Sequence, residues 1–244
     1  MSMKKMCIYV EGQTEQLFVE KLIEEIANKN NIAITVKSLK GGGKNSTTAK
    51  QLIVLKDKPI DENTKYYILI VNCNADNRVQ SEINENCLNM QNSGYEKVLG
   101  VRDLFPKNLK DLPKILKYAV VKNPDLKITA KSIIAVFEIE TWFLAEYRFL
   151  EKIDSRLTLP YIIENLGFDL ENDCLDQDMK YHHSAGILNK IYQSVDRSYN
   201  KTYAKSEKII KNLDYEILYL ITKNKLKSLQ EFINELDNFF TIEE

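Results

Sequence analysis

The apolar positions of this chain change period repeatedly along its first 146 residues. "MCIYVEG" (6–12) is a short apolar run ending at Gly12 and predicts a buried strand. "TEQLFVEKLIEEIANKN" (14–30) follows, with Leu17, Phe18, Leu22, Ile23 and Ile26 on one stripe at helical spacing and Thr14 as the candidate N-cap. "IAITVKSL" (32–39) alternates like a strand, and the glycine-rich "KGGGKNSTTAK" (40–50) leads into an expected helix at 47–56. "KYYILIVN" (65–72) is almost wholly apolar, as strands buried on both faces are. "RVQSEINENCLNMQNS" (78–93) predicts a helix and "YEKVLGVRD" (95–103) a strand. "NLKDLPKILKYAVVK" (108–122) predicts a helix broken near Pro113, and "KSIIAVFEIETWFLAE" (131–146) a strand that turns into a helix.

Strands alternating with helices predict an α/β fold with a mainly parallel sheet flanked by helices. The reading assigns 1–150 to that domain and 151–244 to a mostly helical C-terminal region packed on it. The amphipathic "LKSLQEFINELDNFF" (226–240) is its clearest helix, and 155–180 is left unassigned. No repeat or low-complexity tract interrupts the 244 residues.

Composition narrows the class. The chain is 44% hydrophobic and 28% charged, a balance typical of globular proteins. No apolar run approaches the roughly 18 residues that span a bilayer, and the N-terminus lacks a signal-peptide pattern, so a cytoplasmic protein without membrane contact is expected. Cys7, Cys73, Cys87 and Cys174 show no Cys-x-x-Cys spacing, and free thiols are expected. The net charge of −1 leaves nucleic acid open as a partner, because a local basic patch is what matters. Lysines cluster at 201, 205, 208 and 211, and at 223, 225 and 227; a solvated helix face is the plain alternative.

Candidate chemistry gathers at strand ends, where open α/β sheets bind ligands. The first strand delivers Glu11, a possible metal ligand or general acid/base. "VNCNADN" (71–77) has Asp-x-Asp spacing but carries Asn72 and Asn74, with Asp76 nearby. Glu138 and Glu140 flank Ile139, and on a strand both would share one face. "KGGGKNST" lacks the order of a phosphate loop, although Lys40 and Lys44 could touch a nucleic-acid backbone. His182 and His183 have no partners at zinc spacing, and no nucleophile elbow surrounds Ser184. Tyr192, Tyr199 and Tyr203 interleave with lysines, which suits either base stacking or packing on the sheet.

"VEGQTEQLFVEKLI" resembles the first motif of the Toprim domain, the topoisomerase–primase fold. It is especially similar to stand-alone Toprim-like proteins of the DUF4276 type and to the Toprim half of the OLD-family nucleases. "GVRDLFP" (100–106), "VFEIETWFLAE" (136–146) and "SYNKTYAK" (198–205) resemble further blocks of that group. The resemblance implies a Mg²⁺- or Mn²⁺-dependent nuclease acting on DNA or RNA in anti-phage defence; an ATPase partner goes with the alternative, a non-catalytic module. It assigns metal binding to Glu11, Asn72, Asn74 and Glu138, with Asp76 close by as a partial substitute, and catalysis to Glu11, Asn72, Asn74, Glu140 and Lys201. Lys40, Lys44, Lys201 and Lys205 would contact nucleic acid. Two amides in place of two acids would weaken such a site. Three accounts fit: a degenerate domain that binds without cutting, a site rearranged around Asp76 with Glu11 and Glu138 or Glu140, or a deliberate Asp→Asn change at both positions. A non-catalytic binding or regulatory module is the competing class, and oligomeric state stays open.

Overall fold

The apolar runs become a six-stranded sheet in the computed structural model, which describes residues 3–27, 31–42, 47–75 and 77–241. In chain order the elements are β1 (Lys4–Val10), α1 (Gln13–Ile26), β2 (Ile32–Lys40), β3 (Gln51–Asp57), β4 (Tyr66–Asn72), α2 (Arg78–Asn92), β5 (Lys97–Asp103), α3 (Leu112–Ala119) and β6 (Thr129–Ala135). Then come α4 (Glu140–Ala145), α5 (Phe149–Ile153), α6 (Leu159–Leu166), α7 (Ser184–Gln193), α8 (Tyr203–Asn212), α9 (Tyr215–Leu220) and α10 (Lys227–Phe240). The strand order is β3-β2-β4-β1-β5-β6. β1 runs parallel to β4 and β5, and β2 runs parallel to β4. The expected α/β fold, mostly parallel and flanked by helices, is the one observed, and the C-terminal part is helical. Among the described residues no helix is long and apolar enough to cross a membrane.

Central strands are apolar on both faces because both faces are covered. Met6, Ile8 and Val10 alternate with Cys7 and Tyr9 along β1, and all five are buried. Cys7 and Tyr9 join Val71, Val79, Ile83 and Val98 in one cluster beneath α2. Gly100 shows how close that helix comes. A Cβ there would lie 2.7 Å from Ile83 Cδ1, Val79 Cγ1 and Ser132 Oγ. α1 packs on β1 and β4.

Three local expectations change. The segment expected as a helix at 47–56 is β3, antiparallel to β2; its β-branched Ile53 and Val54 suit a strand, and pairing with β2 decides the matter. Pro113 does not break a helix. It sits in the first turn of α3, where a missing N–H costs nothing, after a short 3₁₀ turn at Leu109–Asp111. Thr14 lies inside α1, and Gly12 is the N-cap.

The chain forms two compact units. One comprises Met1–Arg102, Lys114–Ile133 and Leu236–Glu244; the other comprises Asp103–Pro113 and Ile134–Glu235. In the first, Tyr66 packs on Phe239 and Phe240 and donates its hydroxyl to the Phe240 carbonyl at 2.9 Å. In the second, fully buried Trp142 donates Nε1–H to Ser228 Oγ at 3.0 Å and stacks on Phe232. Thr141 and Ser184 hydroxyls meet at 2.7 Å, fastening α4 to α7.

Candidate metal centre

Asp103 is the last residue of β5. Beyond β6 the chain reaches Phe137, whose φ of +65° lies in the left-handed region, an uncommon conformation for a bulky side chain. Phe105 N–H donates to the Phe137 carbonyl at 2.7 Å and holds this sharp turn in place. Glu138 leaves the turn and Glu140 opens α4, with Ile139 between them as the N-cap in helical conformation. The two glutamates therefore do not share a face by strand alternation. They converge because a turn runs straight into a helix.

Each of three carboxylates spends one oxygen on the protein. Asp103 Oδ1 accepts from Ile139 N–H at 2.8 Å. Glu138 Oε2 accepts from Ala185 N–H at 2.9 Å and meets His183 Nδ1 at 2.9 Å. Glu140 Oε1 accepts from the Tyr199 hydroxyl at 2.7 Å. Burial and the Glu140 charge push the Tyr199 hydroxyl far above its ordinary pKa, so it remains a donor.

The other oxygens turn to one point, which the Lys201 ammonium takes. Nζ lies 3.1 Å from Asp103 Oδ2, 3.4 Å from Glu138 Oε1 and 3.0 Å from Glu140 Oε2. The Glu140 oxygen is fully buried and accepts no directed hydrogen bond despite the short distance, so that contact is Coulombic rather than directional. Lys201 brings one positive charge to three carboxylates whose side chains are almost wholly buried, and buried carboxylates call for charged or hydrogen-bonding partners. One ligand oxygen from each of Asp103, Glu138 and Glu140 lies within 4.8 Å of the others, close to the span of an oxygen shell at about 2.0–2.6 Å around Mg²⁺ or Ca²⁺. Hard oxygen donors and a buried oxygen without a directed hydrogen bond fit a divalent cation.

The centre reaches solvent through the Lys201 and His183 side chains, 37% and 57% exposed. The His183 ring stacks on Phe105 at 4.8 Å and 16°. A Cβ on Gly186 would stand 2.6 Å from His183 Cδ2, so glycine there leaves room for the ring. With Nδ1 held by Glu138, the ring orientation is set.

The first unit holds the remaining candidates. Glu11 follows β1, and its charge opposes the burial that lowers the Arg102 pKa. Asn72 ends β4, level with Val10 of β1 and Ser38 of β2. Its Oδ1 accepts from Asn74 N–H at 2.9 Å, and its amide donates to Gln16 Oε1 at 3.0 Å. Asn74, at φ +54°, donates its amide to Ser38 Oγ at 2.8 Å and to the Leu39 carbonyl at 2.9 Å. The pair ties the end of β4 to the end of β2. Asp76 and Lys44 lie outside the described residues.

The basic candidates are partly spoken for. Lys40 is exposed at the end of β2, and Lys205 donates to Ser198 Oγ at 2.8 Å. Lys211 pairs with Glu207 at 3.0 Å. Tyr192 and Tyr199 are buried rather than presented for stacking, whereas Tyr203 is exposed.

Sequence reasoning singled out Glu138, Glu140 and Lys201 but passed over Asp103 and His183 as site residues. A carboxylate ending a predicted strand was a usable signal for Asp103. Nothing in the spacing marks His183, whose partner Glu138 stands 45 residues away. Comparison of the chain with protein-family models, with curated proteins and with solved structures returned no match.

Proposed function

We propose that this chain is a divalent-metal-dependent phosphodiester hydrolase acting on nucleic acid, with Asp103, Glu138 and Glu140 as its ion-holding carboxylates. The observation that carries the reading is the anchoring of three carboxylates by one oxygen each, with the other three turned to a common point. A bound Mg²⁺ or Mn²⁺ would supply charge neutralisation at a phosphate and a more acidic water. The chain's own residues do the rest. Tyr199, Ile139 N–H and Ala185 N–H hold the three carboxylates in place, so that only Lys201 has to move when a ligand arrives. Lys201, half in solvent, is able to leave the carboxylates and meet a phosphate as a point charge. His183, oriented by Glu138, can hold or pass a proton at Nε2. The sequence resemblance is what extends the proposal to nucleic acid and to anti-phage defence.

The test has two parts. Mn²⁺ and Mg²⁺ should raise the melting temperature of the wild-type chain, and the rise should vanish in Glu140→Gln and Asp103→Asn. Cleavage of single- and double-stranded DNA and RNA should depend on metal and fall at least 100-fold in both variants. A wild-type chain that neither gains stability from metal nor cuts any of the four substrates sinks the proposal.

Two observations favour a second reading. Lys201 already sits on the carboxylates, and Asn72 and Asn74 stand where acids were expected. A binding or regulatory module, built around an internal ion pair and working through a partner protein, accounts for both. Retained nucleic-acid binding without metal-dependent cleavage would favour it.

A further inference from the structure

The Lys201 ammonium fills the place an ion would take. Its Nζ stands 3.0–3.4 Å from the inward-turned oxygens of Asp103, Glu138 and Glu140. An ion at about 2.0–2.6 Å from the same oxygens would stand among them. The ammonium and the ion would then overlap, or face each other across the oxygens as like charges where screening is poor. The two cations therefore exclude each other.

The ammonium is tethered without being fixed. Lys201 lies in an irregular stretch between α7 and α8. Two residues before it, Tyr199 donates its N–H to Asn189 Oδ1 at 2.9 Å and its hydroxyl to Glu140 at 2.7 Å. Two residues after it, α8 begins, and Ser206 N–H donates to the Thr202 carbonyl at 2.9 Å. The backbone is held on both sides, so the flexible four-carbon stem is the part that moves. The Lys201 side chain is 37% exposed, against 4% for Asp103 and Glu138 and none for Glu140. An outward swing takes the charge into water, where an ammonium is strongly hydrated. The carboxylates, anchored through their other oxygens, stay behind. The contact with Glu140 is undirected, so what is lost there is Coulombic, and a dication restores it with twice the charge.

We infer that Lys201 is a tethered competitor of the metal: it occupies the ion's place in the metal-free protein, and a divalent cation binds by displacing it toward solvent. The inference rests on the reading of Asp103, Glu138 and Glu140 as ion-holding carboxylates. It adds that the exchange, and not the carboxylates alone, sets the affinity of the centre. The exchange also times the chemistry. The ammonium swings out only when the ion is in place, so the two positive groups that meet a phosphate become available together.

Isothermal titration with Mn²⁺ tests the exchange. Lys201→Met should bind Mn²⁺ about 10-fold more tightly than the wild-type chain. Lys211→Met, at a lysine paired with Glu207, should match the wild type. A second measurement uses the wild-type chain and stands even where Lys201→Met fails to fold. Acylation of Lys201 by an amine-reactive reagent, read by mass spectrometry against Lys211, should rise several-fold at saturating Mn²⁺. The rise should be absent in Glu140→Gln. Equal or weaker binding by Lys201→Met, or Lys201 acylation unchanged at saturating Mn²⁺, would overturn the inference. The carboxylates would remain the ion's ligands in that case, provided Glu140→Gln loses the binding. Mn²⁺ bound by neither the wild type nor Lys201→Met would overturn the underlying reading and the inference with it.

Discussion

Asn74 shows how one atom can decide between two readings of a residue. Its amide nitrogen faces the Leu39 carbonyl, which can only accept. An ionised aspartate there would set two acceptors against each other. Asn72 differs, because its Oδ1 already accepts from Asn74 N–H and the Gln16 amide could rotate to donate to a second oxygen. Asn74→Asp should therefore lower stability by about 1 kcal/mol, the low end of the cost of an unmade bond because the residue is exposed. Urea unfolding of the variant measures it, and unchanged stability would remove the latching role from Asn74. Tyr199 is the second telling residue. Its hydroxyl is the donor that holds Oε1 of fully buried Glu140. Tyr199→Phe should weaken Mn²⁺ binding by about 10–100-fold, the usual effect of removing a support behind a ligand. Isothermal titration reads the affinity, and a thermal melt without metal checks that the fold persists.

At the scale of elements, α4 concentrates the most chemistry in the fewest residues. All six of its residues are buried, Glu140 among them, and Glu146 caps its C-terminal end. Burial pushes the Glu146 carboxyl from the usual 4.5 up to about 7, although Asp214 N–H donates to it and opposes the rise. The unfolded chain releases this proton near pH 4.5 and the folded chain near pH 7. Between these values the folded state holds the extra proton, so stability falls as pH rises through that window and levels off above it. The contribution lost is up to about 3 kcal/mol. Glu146→Gln should flatten the dependence, which melting temperatures at pH 5 and pH 8 for both proteins would show. A wild-type chain equally stable at the two values would contradict the burial argument. β3 shows the limit of local pattern. Its apolar run carries neither helical spacing nor clear alternation, and only the pairing partner β2 assigns it.

At the scale of the molecule, the end of the chain completes its beginning. Leu236 and Phe239 are buried, the Phe240 carbonyl accepts from Tyr66, and Lys4 Nζ donates to the Thr241 carbonyl at 3.2 Å. Deleting residues 236–244 should destabilise the first unit by about 3–6 kcal/mol, from two buried apolar side chains at about 1.5–3 kcal/mol each. Denaturant unfolding followed by tyrosine fluorescence would check this, and a truncated chain of wild-type stability would contradict it. The sequence by itself determined the fold class, the places of β1, β2, β4 and β5, and the amphipathic α10. These follow from the two periods of apolar burial, which are local properties of the chain. It also marked Glu138, Glu140 and Lys201. Only the tertiary structure decided that Asp103, Tyr199 and His183 join them, that β3 is a strand with an open edge, and that Phe239 and Phe240 belong with β4. Each of those is a contact between segments tens to hundreds of residues apart. Periodicity carries no information about such pairs, because it records which face a residue buries and not what it is buried against.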